Sequence, residues 1–177
     1  MRKIFLFIAM SLISLSINAQ SETLLDSIPS LKGEKKINVQ IDYTEMTING
    51  LSQNDWIEFR NTAQPKYNAT DELEKELKPQ IKSSVVSEVN KKLMKEGAFA
   101  ISNNTSNYTL VIKPISVDMK GNNSNECCIK DKEGNTLVTF TVKGKGGLFG
   151  SMSNLWSDGY KRTGKKIAEV LQKCFLK

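Results

Sequence analysis

Leu73, Leu77, Ile81, Val85, Val89 and Leu93 recur every four residues, and Gly97 follows them. A spacing of four places all six on one side of an α-helix, and glycine supplies the left-handed residue on which helices commonly end. A helix with so continuous an apolar stripe must find an apolar surface to cover, so the rest of the chain has to provide a second layer. Thr70 or Asp71 can cap its start. Pro79 falls inside the run and would cost about 3 kcal/mol in a regular helix interior, which predicts a kink there or a start one turn later.

The second layer is legible as strands. Ile37, Val39, Ile41 and Tyr43 alternate with polar residues, the period of a strand with one buried face. After the Asn49-Gly50 break, Ser52 and Asp55 resemble a capping box and Leu51 and Trp56 a hydrophobic staple, predicting a short helix over 53–61. Tyr108, Leu110 and Ile112 lie in one phase and Ile115, Val117 and Met119 in the other. The slip at Lys113-Pro114 predicts a β-bulge, and the proline predicts an edge position. Glu126 to Asp131 and Thr136 to Lys143 read as two strands joined through Gly134, with Val138, Phe140 and Val142 facing inward. A last helix carries Tyr160, Gly164, Ile167, Leu171, Cys174 and Phe175 on one side. The economical arrangement is α+β: a mostly antiparallel sheet of about four strands with two main helices packed on one face.

The amino-terminal segment reads as an address. Met1-Arg2-Lys3 is basic, Ile4 to Ile17 has only Ser11, Ser14 and Ser16 as polar members, and Ala19 supplies the small residue a signal peptidase requires. The run is shorter than the 18 or more apolar residues that span a bilayer. The organisation expected is therefore a signal peptide at 1–19, a flexible lead at 20–35 and a single domain at 36–177, periplasmic or secreted, with no transmembrane segment after cleavage. The first cysteine is Cys127, so no lipid anchor is expected at the mature amino terminus.

Export makes the cysteines relevant, because an oxidising compartment permits disulfides. Adjacent Cys127 and Cys128 point to opposite faces of a strand. Cys127 shares a face with Ile129, and Cys174 lies on the apolar stripe of the last helix, so Cys127 to Cys174 is the admissible bridge. Buried free thiols are the other reading.

The chain contains no histidine. That removes Ser-His and Cys-His nucleophile pairs, histidine bases and histidine-ligated metals, and with them most hydrolase and metalloenzyme chemistry. No cofactor is expected. Gly159 to Lys166 approaches a phosphate-binding loop, but Lys166 stands where a magnesium-binding Ser or Thr belongs and no buried strand precedes it. Asp71, Glu72, Glu74 and Glu76 invite a carboxylate-pair reading, a small carboxylate-dependent hydrolase being the alternative function; the dipole of the helix they open accounts for them without chemistry.

Charge and apolar loop residues point elsewhere. Residues 141–177 hold Lys143, Lys145, Lys161, Arg162, Lys165, Lys166, Lys173 and Lys177 against Asp158 and Glu169, a net of +6. Beside them the glycine-rich stretch 144–150 carries Leu148 and Phe149, with Met152, Leu155 and Trp156 following. Two readings stand: a linker beside a solvated helix face, or mobile glycines that present Leu148, Phe149 and Trp156, with Lys161, Arg162, Lys165 and Lys166, to an anionic envelope component or a protein partner. Nucleic acid is not expected, since stacking aromatics are not interleaved with the basic residues.

The Asp42-Tyr43 strand end, the Thr47-Ile48-Asn49-Gly50 turn and the Asp55-Trp56 helix start, followed by helix, three strands and helix, resemble small uncharacterised exported proteins of the bacterial cell envelope. The order of elements is more distantly similar to the amino-terminal domain of the Tol translocation protein. The resemblance implies an envelope-associated, non-enzymatic binding or assembly module, and it carries no catalytic motif.

Overall fold

A computed structural model describes residues 29–102 and 105–176. The expected signal peptide and most of the lead lie outside the described residues. The fold is α+β. Its sheet contains β1 (Lys36–Ile41), β2 (Thr47–Ile48), β3 (Phe99–Ile101), β4 (Tyr108–Val117), β5 (Asn123–Asp131) and β6 (Thr136–Gly144). The order is β3-β1-β4-β5-β6, with β2 also paired to β4.

The sheet is mixed, with six strands among the described residues rather than about four mostly antiparallel ones. β1 runs parallel to both β3 and β4, and β2 runs parallel to β4. The β4-β5-β6 half is antiparallel. Alternating polarity records which face of a strand is buried and is blind to strand direction, which is why the parallel half was not foreseen.

Helix α1 (Gln53–Ala63) is capped by Ser52, whose Oγ accepts from the Asp55 amide at 3.2 Å and donates to the Asp55 carboxylate at 2.7 Å. Trp56 is buried beneath it. The long helix α2 opens at Ala69–Asp71, widens into a π segment over Glu72–Leu77 and continues as regular α-helix through Lys78–Leu93. At the junction the Lys78 amide reaches back five residues to the Leu73 carbonyl. This widening precedes Pro79, which has no N–H to give and crowds the preceding turn; the helix accommodates the proline at the start of its regular part. Gly97, at φ +70°, ends the helix after one 3-10 turn. All six stripe residues of α2 are fully buried.

The bulge lies where the phase slips: the β4–β5 register shifts between Pro114 and Ser116. Its strand is interior, however, not an edge. The Ile112 carbonyl accepts from the Asp42 amide, so Ile112, and Pro114 two residues on, face the β1/β2 side. The missing donor of Pro114 falls in the gap between Ile41 and Thr47, where no strand bond is lost.

Helix α3 (Met152–Leu176) packs along α2 and over β6. Gly164 marks the crossing of α3 with α2: a β-carbon there would stand 2.9 Å from the Val85 carbonyl oxygen. The described part of the lead is docked rather than loose. Leu31 is buried, and its amide donates to the Cys174 carbonyl at 2.8 Å. Among the described residues no helix is long and apolar enough to cross a membrane.

The Cys127–Cys174 bridge is not formed. None of the three cysteines is in a disulfide. Cys174 Sγ turns along its own helix toward the Val170 carbonyl at 3.3 Å, and Cys127 is packed mid-sheet between Ile112 and Phe140, where burial pushes its thiol well up from the ordinary value.

Candidate functional site

β6 ends at Gly144, α3 begins at Met152, and the seven residues between form a turn that leaves Leu148 82% and Phe149 90% exposed. The turn is fastened on both sides. On one, the Gly146 amide donates to Asn122 Oδ1 at 2.9 Å. On the other, the Arg162 guanidinium donates to the Lys145 and Gly146 carbonyls, while Lys166 Nζ donates to the Lys143 carbonyl at 2.9 Å. Gly150 takes φ +124°, a conformation that side chains rarely adopt, and Ser151 then caps α3 by accepting from the Asn154 amide.

The glycines here make room rather than motion. A β-carbon on Gly146 would lie 1.7 Å from the Lys120 carbonyl oxygen, and one on Gly144 would lie 2.4 Å from that of Gly159. The turn between β4 and β5, the end of β6 and the first turns of α3 meet backbone to backbone. Asp118 organises that turn, accepting from the Lys120 and Asn122 amides and from the Asn122 side chain.

Trp156 does not belong to the exposed set. It is fully buried, and its indole N–H donates to the Asp118 carbonyl at 3.0 Å. Met152, Trp156 and Tyr160 follow each other at intervals of four, which extends the α3 stripe two turns further toward its start than the apolar pattern from Tyr160 onward indicates. Arg162 and Lys166 are exposed, but their charged groups are spent on backbone carbonyls. Lys145 and Lys165 extend into solvent, and Lys161 pairs loosely with Asp158 at 3.8 Å. The Asp158 carboxylate adjoins Gly147. The site is therefore an apolar tip of Leu148 and Phe149 on a turn fastened at both sides, with exposed Lys145 in the same turn and exposed Lys161 and Lys165 further along α3. Neither Asp118 nor Asn122 was recognised from the sequence as holding the turn; the Asp-x-x-Gly-Asn pattern of 118–122 is the turn signal that could have found them.

The near phosphate-loop motif of 159–166 lies within the continuous helix α3 and forms no loop. Of the four acidic residues at the start of α2, Asp71 pairs with Lys75, Glu74 with Lys78 and the buried Glu72 with Arg60. A polar depression of about 380 Å³ between Gln40, Thr109, Lys130 and Gly134 holds one carboxylate in its lining, Asp131, whose acidity is raised by hydrogen bonds from Asn135.

No family model matches the chain, and no curated protein matches it. Three solved structures are similar in fold. One, described as an uncharacterized protein, is 12% identical with a TM-score of 0.44, over 81% of this chain and 95% of that one. A PelC dodecamer from Paraburkholderia phytofirmans is 13% identical with a TM-score of 0.39, over 81% and 91%. A protein from Xanthomonas campestris, of the family described as DUF330, is 12% identical with a TM-score of 0.39, over 82% and 90%.

Proposed function

We propose that this chain is an exported, envelope-associated, non-enzymatic binding module that docks on an anionic lipid surface through the Leu148–Phe149 tip. The observation that carries the reading is the 82% and 90% exposure of these neighbours on a turn fastened by Asn122 and Arg162. Two large apolar side chains held rigidly in water gain by burial elsewhere, and their ordering cost is already met by the turn. Lys145 in the same turn, and the exposed Lys161 and Lys165 of α3, add long-range attraction to phosphate headgroups. The apolar opening at 4–17 and the resemblance to exported envelope proteins support a periplasmic or secreted location.

Sedimentation with phosphatidylglycerol vesicles against neutral phosphatidylcholine vesicles tests the docking. Binding to the anionic vesicles should weaken with salt, since exposed charges are screened within about 10 Å at 0.1 M. Replacing Leu148 and Phe149 together by serine should lower affinity about tenfold or more at any salt. No binding to anionic vesicles at low salt, or equal binding by the double-serine variant, overturns the reading. Amino-terminal sequencing of the secreted protein tests export separately, with Gln20 expected first.

A further inference from the structure

Open sheets end in strands whose outward N–H and C=O groups lack partners, and native proteins guard such edges with short strands, charges, prolines or covering elements. At one end of this sheet β3 has only three residues. At the other, β6 has nine and pairs with β5 alone among the described residues. From Thr136 to Val142 it contains neither a charge nor a proline.

The carboxy-terminal part of this edge is closed by α3, where Lys166 caps the Lys143 carbonyl and Arg162 those of Lys145 and Gly146. Because the Lys143 carbonyl points outward, alternation points the N–H and C=O of Thr141 and Thr139 outward as well. The register shift between Ile129 and Lys130 leaves Leu137 as the extra residue on β6, which ends the regular stretch on that side. Between bulge and caps lies an open segment centred on Thr139 and Thr141.

We infer that this segment is a self-association edge, on which β6 of a second copy of the chain adds in antiparallel register about a two-fold axis at Thr139. An outward row of backbone donors and acceptors selects an extended strand as its occupant. The neutral run from Thr136 to Val142 sets no like charges opposite one another when it meets its own copy. Charge also selects the direction. Parallel addition would bring the Lys143, Lys145 and Lys166 ends of both copies together. Antiparallel addition about Thr139 separates these cations and carries Lys145 of each copy toward Glu133 in the β5–β6 hairpin loop of the other. A two-fold interface satisfies this contact twice. The inference stands independently of lipid docking.

Sedimentation equilibrium of the purified chain in lipid-free buffer tests it. The wild type should show a reversible monomer–dimer equilibrium. Thr139→Pro removes the outward N–H at the axis and leaves the β5-facing bonds intact, and it should weaken association about tenfold or more. Thr139→Lys, which sets two cations opposite each other, should do the same and serves if the proline variant fails to fold. Lys145→Glu should weaken the dimer, and adding Glu133→Lys should restore it. A monomer throughout the soluble range, or a dimer indifferent to Thr139→Lys, overturns the inference. A dimer weakened at Thr139 but not restored by the charge exchange overturns the antiparallel register.

Discussion

A β-carbon placed on Gly159 would lie 2.0 Å from the carbonyl oxygen of Gly121. The first turns of α3 therefore ride directly on the backbone of the β4–β5 turn, beside the Asn123 amide. Gly159→Ala should destabilise the fold by about 3 kcal/mol, the upper end of what overpacking costs, because backbone rather than a flexible side chain must move. For a chain of this size that is a fall in Tm of about 6–12 °C. Gly134→Ala, at φ +88° with open space around it, should cost about 1–2 kcal/mol from backbone conformation alone. Equal losses in thermal unfolding would refute the packing role of Gly159.

Arg60 lies between the rings of Trp56 and Tyr67, 5.8 and 5.1 Å from their centroids, and grips both oxygens of Glu72 at 3.3 and 3.1 Å. The side chains are 18% and 8% exposed, so the pair is largely desolvated. Arg60→Ala should cost about 3–5 kcal/mol by stranding the Glu72 carboxylate. Replacing the pair with Arg60→Met and Glu72→Leu together should cost far less. Additive losses in a denaturant double-mutant cycle would show that the two do not act as a unit.

These relationships were legible to different degrees. Ile37 and Val39, Val138, Phe140 and Val142, and the stripe from Leu73 to Leu93 are buried as their periods require, because burial imprints a repeat on sequence. The Ser52 cap and Trp56 staple are equally local. Strand direction leaves no such imprint: Val39 opposite Leu110 in a parallel pair reads like any half-buried strand. β3 has three residues, too few for a period of two to show. Pro114 announces a missing donor but not that a gap between β1 and β2 receives it. Glycines 144–150 announce freedom, whereas the crowding that selects glycine at Gly146 comes from Lys120, 26 positions away in the chain.

Acid stability should depend in part on Asp42. Thr44 donates to its Oδ1 through both hydroxyl, at 2.6 Å, and amide, at 3.0 Å, and the hydroxyl bond is the main reason its pKa lies below the ordinary 3.8. A carboxyl depressed in the folded state contributes stability above its unfolded pKa and loses it as pH falls through the folded one. Thr44→Val should raise the Asp42 pKa toward 3.8, read by NMR titration, and lower stability above that value while leaving the fully protonated state little changed. An unmoved titration would sever the link to Thr44.

Cys127 and Cys174 should behave as interior groups and not as a bridge. Both are buried, Cys128 is half-buried, and none of the three is in a disulfide. A thiol reagent should leave Cys127 and Cys174 unmodified in the native protein, because access is denied and, for Cys127, burial disfavours the reactive thiolate. Denaturation without reductant should expose three alkylatable thiols. An intact mass lower by two hydrogens, with one alkylation, would establish a disulfide instead.

The two large aromatics at the start of α3 should separate cleanly by experiment. Trp156 is fully buried with its indole N–H on the Asp118 carbonyl, whereas Phe149, seven positions earlier, is 90% exposed. Trp156→Ala should cost about 3–5 kcal/mol through the cavity it leaves and the orphaned carbonyl. Phe149→Ser should change stability by no more than about 0.5 kcal/mol, as for a surface substitution away from packed features. The order should reverse on vesicles: Phe149→Ser lowers affinity at unchanged Tm, and a folded conservative replacement, Trp156→Phe, leaves binding intact while shifting Tm downward. Loss of vesicle binding in folded Trp156→Phe, with Phe149→Ser unaffected, would move the contact surface away from the tip and onto the helix itself.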